Sequence, residues 1–370
     1  MSEQPWYRFD NESDIPSPAL VVYPNQVEEN IRRVLQIAGG PARLRPHVKT
    51  HKMAEVIRLQ MAAGINKFKV ATIAEAEMVA DCGATDVFLA FPQVGPNAER
   101  FARLVRGYPR CQFSTVVDDS FLVLHLSAAM AQADATVDVL VDIDNGMHRT
   151  GIEPGPQAFE LYRSLVDRPG IKPGGLHVYD GQHRDQDINV RREKALAAWQ
   201  PVAAFIAQLK ASNFPVPRVV AGGTPSFPIH AKFEDRECSP GTCLFWDVSY
   251  RTKFPELNFE HGALLMARVV SKPGPTRLCF DLGYKSVSPD NPWPRVEFPE
   301  IPDATLVNHS EEHLAIETSH AGKYAVGDVV FAIPFHVCPT VALHRDAVVV
   351  RNRRAVEQWR VVARDRQLTY

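Results

Sequence analysis

Arg45, His47, Lys49 and His51 occupy every second position of ARLRPHVKTHK, residues 42–52. Alternate side chains of a strand share a face, so this spacing predicts a row of basic groups on one side. Such a row is either the solvated face of an edge strand or a surface aimed at an anion. A lysine at the C-terminal end of a barrel strand stands where barrel enzymes build their sites. Neighbouring cations favour its neutral form, the amine that can condense with an aldehyde. Lys49 is that candidate, with His47 and His51 on either side of it.

Four further clusters could carry chemistry. VVAGGTPSF (219–227) places Gly222, Gly223 and Thr224 directly after a strand-like run, and CSPGTCLFWD (238–247) places Gly241 and Thr242 in a second such turn. Bare amides and hydroxyls at strand ends form a phosphate cradle, and the late loops of a (β/α)8 barrel are where phosphate sits. Each turn alone is equally an ordinary turn. VDIDNGMHRTG (141–151) alternates Asp142 and Asp144 with apolar residues and delivers Arg149 after a glycine turn, to meet a cofactor ring or carboxylate, or to line a surface loop. HVYDGQH (177–183) ends a strand with Tyr179, which can stack on a flat ring, and with His177 and His183, either of which could move protons or simply be solvated. FAIPFHVCPTVALH (331–344) sets His336 and Cys338 two apart on a β-type run, hence on one face, with Pro339 ending the strand. Imidazole and thiolate can there share a metal; nitrogen with sulfur favours zinc and leaves positions open. The competing reading is a buried cysteine beside a structural histidine.

These groups need elements to hold them. Short β-rich runs at 18–24, 43–48, 67–72, 86–91, 112–117, 137–143, 174–180 and 218–223 alternate with longer amphipathic stretches, which predicts parallel strands with helical crossovers. The count and span are those of an α/β fold of the (β/α)8 TIM-barrel type. A doubly wound sheet is weakened because no G-x-G-x-x-G follows the first strand. Beyond 255 the β runs are short and broken by Pro, Gly and charged turns, which predicts a mainly-β domain. The expected division is 1–17 as an N-terminal segment free to pack on either part, 18–255 as the barrel and 256–370 as the β domain.

Composition narrows the function classes. The 370 residues are 45% hydrophobic and 23% charged, with a net charge of −2, so no basic field favours nucleic acid or an anionic membrane surface. No apolar run approaches the ~20 residues of a membrane span, and the acidic N-terminus lacks the blocks of a secretory signal. Six scattered cysteines read as reduced thiols of a cytoplasmic protein rather than a disulfide framework.

Taken in order, RPHVKTHK, DNGMHRTG, HVYDG, VAGGTPS, PGTCLFWD, DLGYKS and PFHVCPT resemble the D-threonine aldolase and D-serine dehydratase family over nearly the whole chain. That family's fold is similar to alanine racemase, a pyridoxal-phosphate barrel (fold type III) followed by a β domain. The resemblance implies pyridoxal 5′-phosphate as cofactor, with Lys49 the lysine joined to it. It puts Tyr179, Gly222, Gly223, Thr224, Gly241 and Thr242 near the ring and phosphate, and Arg149 near the ring; His47 is grouped with them. His336 and Cys338 become ligands of a divalent metal, zinc first, manganese or magnesium as alternatives. His51 and His183 stand with Lys49 as catalytic candidates.

The implied activity is a lyase on D-β-hydroxy amino acids, with retro-aldol cleavage of D-threonine-type substrates to glycine and an aldehyde as the leading expectation. The runner-up is dehydration of D-serine or D-3-hydroxyaspartate to a keto acid and ammonia. Cys338 stands where family aldolases often carry aspartate and dehydratases cysteine, whereas the surrounding PFHVCPTVALH is more similar to the aldolase branch. A racemase using Tyr284 of DLGYKS as second acid/base, and a non-catalytic coenzyme-handling protein, are further alternatives; the second domain and its metal-type pair weigh against the last. A homodimer is also implied.

Overall fold

Strands such as VDVLVDI are buried along nearly their whole length, as strands covered on both sides are, and they form a parallel sheet. The computed structural model of the protein describes residues 4–370. Strands are numbered along the chain; the first, β1 (Ala19–Val22), belongs to a second sheet. The parallel sheet runs β2 (Lys67–Val70), β3 (Asp86–Leu89), β4 (Gln112–Val117), β5 (Val137–Ile143), β6 (Ile171–Val178), β7 (Val219–Ala221) and β8 (Glu237–Cys238) in sequence order. Segment 43–47 closes it as the eighth stave through bridges Leu44–Cys238 and His47–Lys69. Phe88, Val116, Leu140 and Val220 fill part of the interior.

Two strand expectations change. The run at 18–24 is not a barrel strand: β1 pairs parallel with β15 (Asp346–Arg351) and antiparallel with β9 (Ala263–Gly274). All four of its residues are buried, so its sequence carries no alternation to tell a barrel stave from the centre of a mixed sheet. Its place in the barrel goes to β8, whose two residues are too few to show any period.

The basic row also resolves differently. Arg45 is fully buried and faces protein carboxylates: its guanidinium donates to Asp86 at 2.6 and 2.7 Å and to Glu237 at 2.7 Å. Burial alone would raise both acids, but Arg45 holds them below the usual carboxylate range. Their contribution to stability is therefore present above the unfolded value of about 4 and is lost as pH falls through the folded values. Arg45→Ala removes the buried cation from between the two acids, leaving Glu237 with Lys67 at 2.6 Å and Asp86 with only Arg218 at 3.9 Å, and is expected to cost about 3 kcal/mol. A urea melt at pH 7 checks this through the shift in midpoint at constant slope.

The chain divides into two units: Arg32–Lys49, Ile57–Gly241 and Asp365–Tyr370 make the barrel unit, and the N-terminal stretch through Ile31, Thr50–Val56 and Thr242–Arg364 make the other. In the latter, β12 (Thr305–His309), β13 (Leu314–Glu317), β10 (Arg277–Phe280), β9, β1, β15 and β16 (Arg354–Arg360) lie in that order, with β14 (Val329–Pro334) pairing β9 and β11 (Val296–Glu297). All of these pairings but that of β1 with β15 are antiparallel. Tyr7 and Phe9 pack with Val21, Met266, Phe331 and Val348 in its core. None of the six cysteines is in a disulfide, and among the described residues no helix is long and apolar enough to cross a membrane.

Candidate active site

Lys49 lies in the 3-10 turn Val48–Thr50, just past the closing stave, rather than on the strand. The stave holds its neighbours by single bridges only, so the strand ends early. The turn is shaped by His47, whose Nδ1 accepts the Lys49 backbone N–H at 3.3 Å, and by Gly241, where a Cβ would stand 2.8 Å from the His47 carbonyl oxygen. A side chain at 241 would push the lysine turn away; glycine keeps it in place. The intended face of four cations therefore splits: Arg45 turns to carboxylates, His47 to the turn, and Lys49 stands at the strand end where barrel sites form.

Tyr179 follows β6 by one residue and is framed by cations. Lys69 Nζ lies 5.4 Å and Arg149 Cζ 5.0 Å from its ring centroid. A Cβ on Gly223 would come within 3.0 Å of Tyr179 Cε2, so that glycine admits the ring. Asp180 anchors the next loop: it accepts from Ser226 Oγ at 2.5 Å and pairs with His230 Nε2 at 2.7 Å. His183 is buried beyond it; burial lowers its pKa against the pull of Asp180 and Asp185, so it is neutral near pH 7 and able to accept a proton.

The glycine amides are not bare, contrary to the cradle expected for them. Gly222 N–H donates to the Val178 carbonyl at 3.1 Å, Gly223 N–H to Ser226 Oγ at 3.2 Å and Gly241 N–H to Thr224 Oγ1 at 3.1 Å. What these loops offer an anion is hydroxyl: Thr224, which accepts from Gly241 and keeps its own O–H to give, and Ser239, a buried hydroxyl without a protein partner. A buried orphan donor at a late strand end, two cations facing one aromatic ring and a lysine at the strand mouth fit a flat, phosphate-bearing aldehyde coenzyme.

The remaining candidates belong to the second unit. His51 is fully buried, and burial lowers its pKa to about 3. Its Nδ1 accepts Met53 N–H at 3.2 Å, so Nε2 carries the hydrogen; that nitrogen has no partner. His51 can donate a hydrogen bond but cannot take up a proton near neutrality. His336 and Cys338 are not on a strand: β14 ends at Pro334, His336 is the N-cap of the helix Val337–Leu343, and Cys338 lies in its first turn. Pro339 begins a helix here instead of ending a strand, since a first-turn proline forfeits no hydrogen bond.

The two side chains nevertheless meet. Burial would lower the His336 pKa, but Cys338 and Asp290, accepting hydrogen bonds from the ring, push it up to about 9. Asp290 holds His336 Nδ1 at 2.5 Å, and Ser288 Oγ donates to the other Asp290 oxygen at 2.7 Å. Cys338 Sγ lies 3.1 Å from Oγ1 of Thr50, the residue after Lys49 in the chain, and 3.6 Å from Thr242 Oγ1. Thr242 thus turns its hydroxyl to the thiol. Among the described residues no group of three or more His, Cys, Asp or Glu side chains is arranged to hold a metal. An oriented imidazole with a thiolate is nonetheless a borderline-soft donor pair that suits a zinc-type cation with open positions.

Comparison with known proteins bears on the fold and the family. Residues 22–248 match the family model described as "Alanine racemase, N-terminal domain", and residues 262–350 match "Putative serine dehydratase domain". D-threonine aldolase of an Arthrobacter species is 31% identical over 95% of this chain and 93% of its own. The chain belongs to the D-threonine aldolase and D-serine dehydratase family. A further member, D-threo-3-hydroxyaspartate dehydratase of a Delftia species, is 26% identical over 93% of this chain and 97% of its own. The crystal structure of D-threonine aldolase from Filomicrobium marinum superposes with a TM-score of 0.88 at 30% identity, covering 95% of this chain and 96% of that one. The relatives are lyases, and the family relation supports pyridoxal phosphate as the cofactor. Within this family member, Lys69, Ser239 and Asp290 are residues that sequence reading passed over. Only Lys69 left a signal: a lysine in the middle of a short barrel strand, KFKV, between the apolar Phe68 and Val70.

Proposed function

We propose that the protein is a pyridoxal-phosphate-dependent lyase of D-β-hydroxy amino acids, cleaving D-threonine-type substrates to glycine and an aldehyde. The observation that carries the reading is the 31% identity to a D-threonine aldolase across 95% of the chain. Lys49 is proposed to join the coenzyme aldehyde, Tyr179 to back its ring beside Arg149, and Thr224, Ser239 and the Gly241 turn to hold its phosphate. When bound, the coenzyme supplies the electron sink for charge that develops at the substrate Cα.

His183 is the proposed base: it takes the proton of the β-hydroxyl, the C–O bond becomes a carbonyl and Cα–Cβ breaks. Lys49 delivers one proton to Cα, leaving glycine, and the proton count closes when His183 releases the hydroxyl proton to water and Lys49 takes one up. His336 and Cys338 would hold a divalent cation, zinc by their donor types with manganese or magnesium as alternatives, which would supply Lewis acidity toward the hydroxyl. Asp290 would fix the imidazole for it.

The second reading is supported by Cys338 and by the dehydratase relative. If Lys49 removes the α-proton instead, the hydroxyl leaves and the product hydrolyses to a keto acid and ammonia. One assay separates the two. Incubation with D-threonine is expected to yield glycine and acetaldehyde in equal amounts; ammonia with 2-oxobutyrate and no glycine would transfer the assignment to the dehydratase reading. A cytoplasmic homodimer is the proposed setting, supported by the family relation.

A further inference from the structure

No motif points to Lys69, and the proposed mechanism leaves it idle, yet it is the buried amine of the barrel interior. Its side chain is 4% exposed, and Nζ lies 2.7 Å from His177 Nε2. His177 Nδ1 lies 2.7 Å from Asp142 Oδ1, and the other Asp142 oxygen accepts from Thr150 Oγ1 at 2.9 Å. Hydrogen counting fixes the donors. Burial would raise Asp142, but His177 and Thr150 hold it ionised, so it accepts from His177 Nδ1–H. The neutral imidazole then has a lone pair on Nε2, and Lys69 donates to it. Moving one proton from Lys69 to His177 keeps every hydrogen bond, with the amine now accepting from Nε2–H.

We infer that Lys69 is a positioning residue for Tyr179: it presents to that ring a charge set by one proton shared with His177 over Asp142. The geometry on the ring side is direct. Nζ is 5.4 Å from the Tyr179 centroid and 6.0 Å from that of Phe88. The charged groups facing the amine are Lys49 and Arg149, which repel its proton, and Asp142 and Asp180, which attract it; with burial as the largest cause its pKa falls to about 7. A plain buried ion pair would hold a constant charge. This chain of three changes charge where the protein works, and Tyr179 feels the change. Its bearing on turnover rests on the reading of Tyr179 as the coenzyme's platform, whereas the shared proton does not.

The test uses nitrogen NMR of the imidazoles in the full-length holoenzyme from pH 5.5 to 9, with His177→Gln to assign the signal. In the wild type the His177 ring should be protonated at Nδ1 and accepting at Nε2, with a change through neutrality. Burial and Lys69 both depress the imidazole. Lys69→Met removes the second of these, so His177 should titrate at higher pH than in the wild type. Lys69→Arg keeps a permanent cation and should hold His177 neutral throughout. kcat/KM of Lys69→Met should fall on the order of 10- to 100-fold at pH 7, with the limb near neutrality gone. Identical His177 titrations in wild type, Met and Arg variants would overturn the shared proton. A Lys69→Met pH profile parallel to the wild type, with only thermal stability reduced, would overturn the positioning role.

Discussion

Lys49→Ala is expected to abolish turnover, by on the order of 10⁴-fold or more, together with the near-visible absorbance of the coenzyme-loaded protein. Lys49 is the amine that the closing stave delivers to the strand end, in a turn held by the His47 side chain and relieved of steric conflict by Gly241. The nearby alternative, Lys69, is buried and committed to His177 at 2.7 Å, so it is poorly placed to take over. The fold should survive, because no core contact is removed and the His47 bond to the turn uses backbone N–H. Absorbance spectra of both proteins after coenzyme loading, with borohydride trapping and peptide mapping, make the check. A retained band, or a labelled peptide from elsewhere in the chain, would assign the coenzyme to another lysine.

His336→Ala should leave that absorbance band unchanged while lowering lyase turnover by on the order of 10²- to 10³-fold. The imidazole is fixed from one side by Asp290, itself held by Ser288, which leaves its remaining nitrogen to face Cys338. If the two are the metal's protein donors, no third side chain is arranged among the described residues to compensate for the loss of one. Chelator treatment of the wild type should therefore reproduce the phenotype of the variant, and added zinc or manganese should restore the wild type alone. A racemase would be indifferent to both manipulations, so the pair of experiments also separates that alternative, in which Tyr284 was the second acid/base. Turnover of His336→Ala equal to wild type would place the metal elsewhere or nowhere.

Different parts of this protein were legible to different degrees. The alternation of apolar strands with amphipathic helices between 67 and 223 was enough for a parallel barrel, because strands buried on both faces need continuous apolar runs. Lys49, Tyr179, Arg149, His336 and Cys338 stood out by residue type, although the strand expected to put the last two on one face proved to be a helix start. The assignment of β1 was not: four apolar residues in a row suit a barrel stave and the centre of a mixed sheet equally, and only the pairing with β9 and β15 decides. The direction of Arg45 was not legible either. Its alternation with His47 and Lys49 implied a shared anion, whereas Asp86 and Glu237, distant in sequence, claim it.

The sequence alone thus determined which reactive side chains exist, where along the chain each stands relative to strand ends, and the resemblance that implied a cofactor. Tertiary structure decided what each one faces. It turned the glycine amides inward and left the Ser239 hydroxyl open, kept His51 neutral by burial, and joined Lys69 to His177 and Asp142. The physical reason is common to all of these. A side chain's charge and hydrogen-bonding partner depend on groups brought near it from remote parts of the chain and on the water excluded with them, and neither is encoded in local spacing.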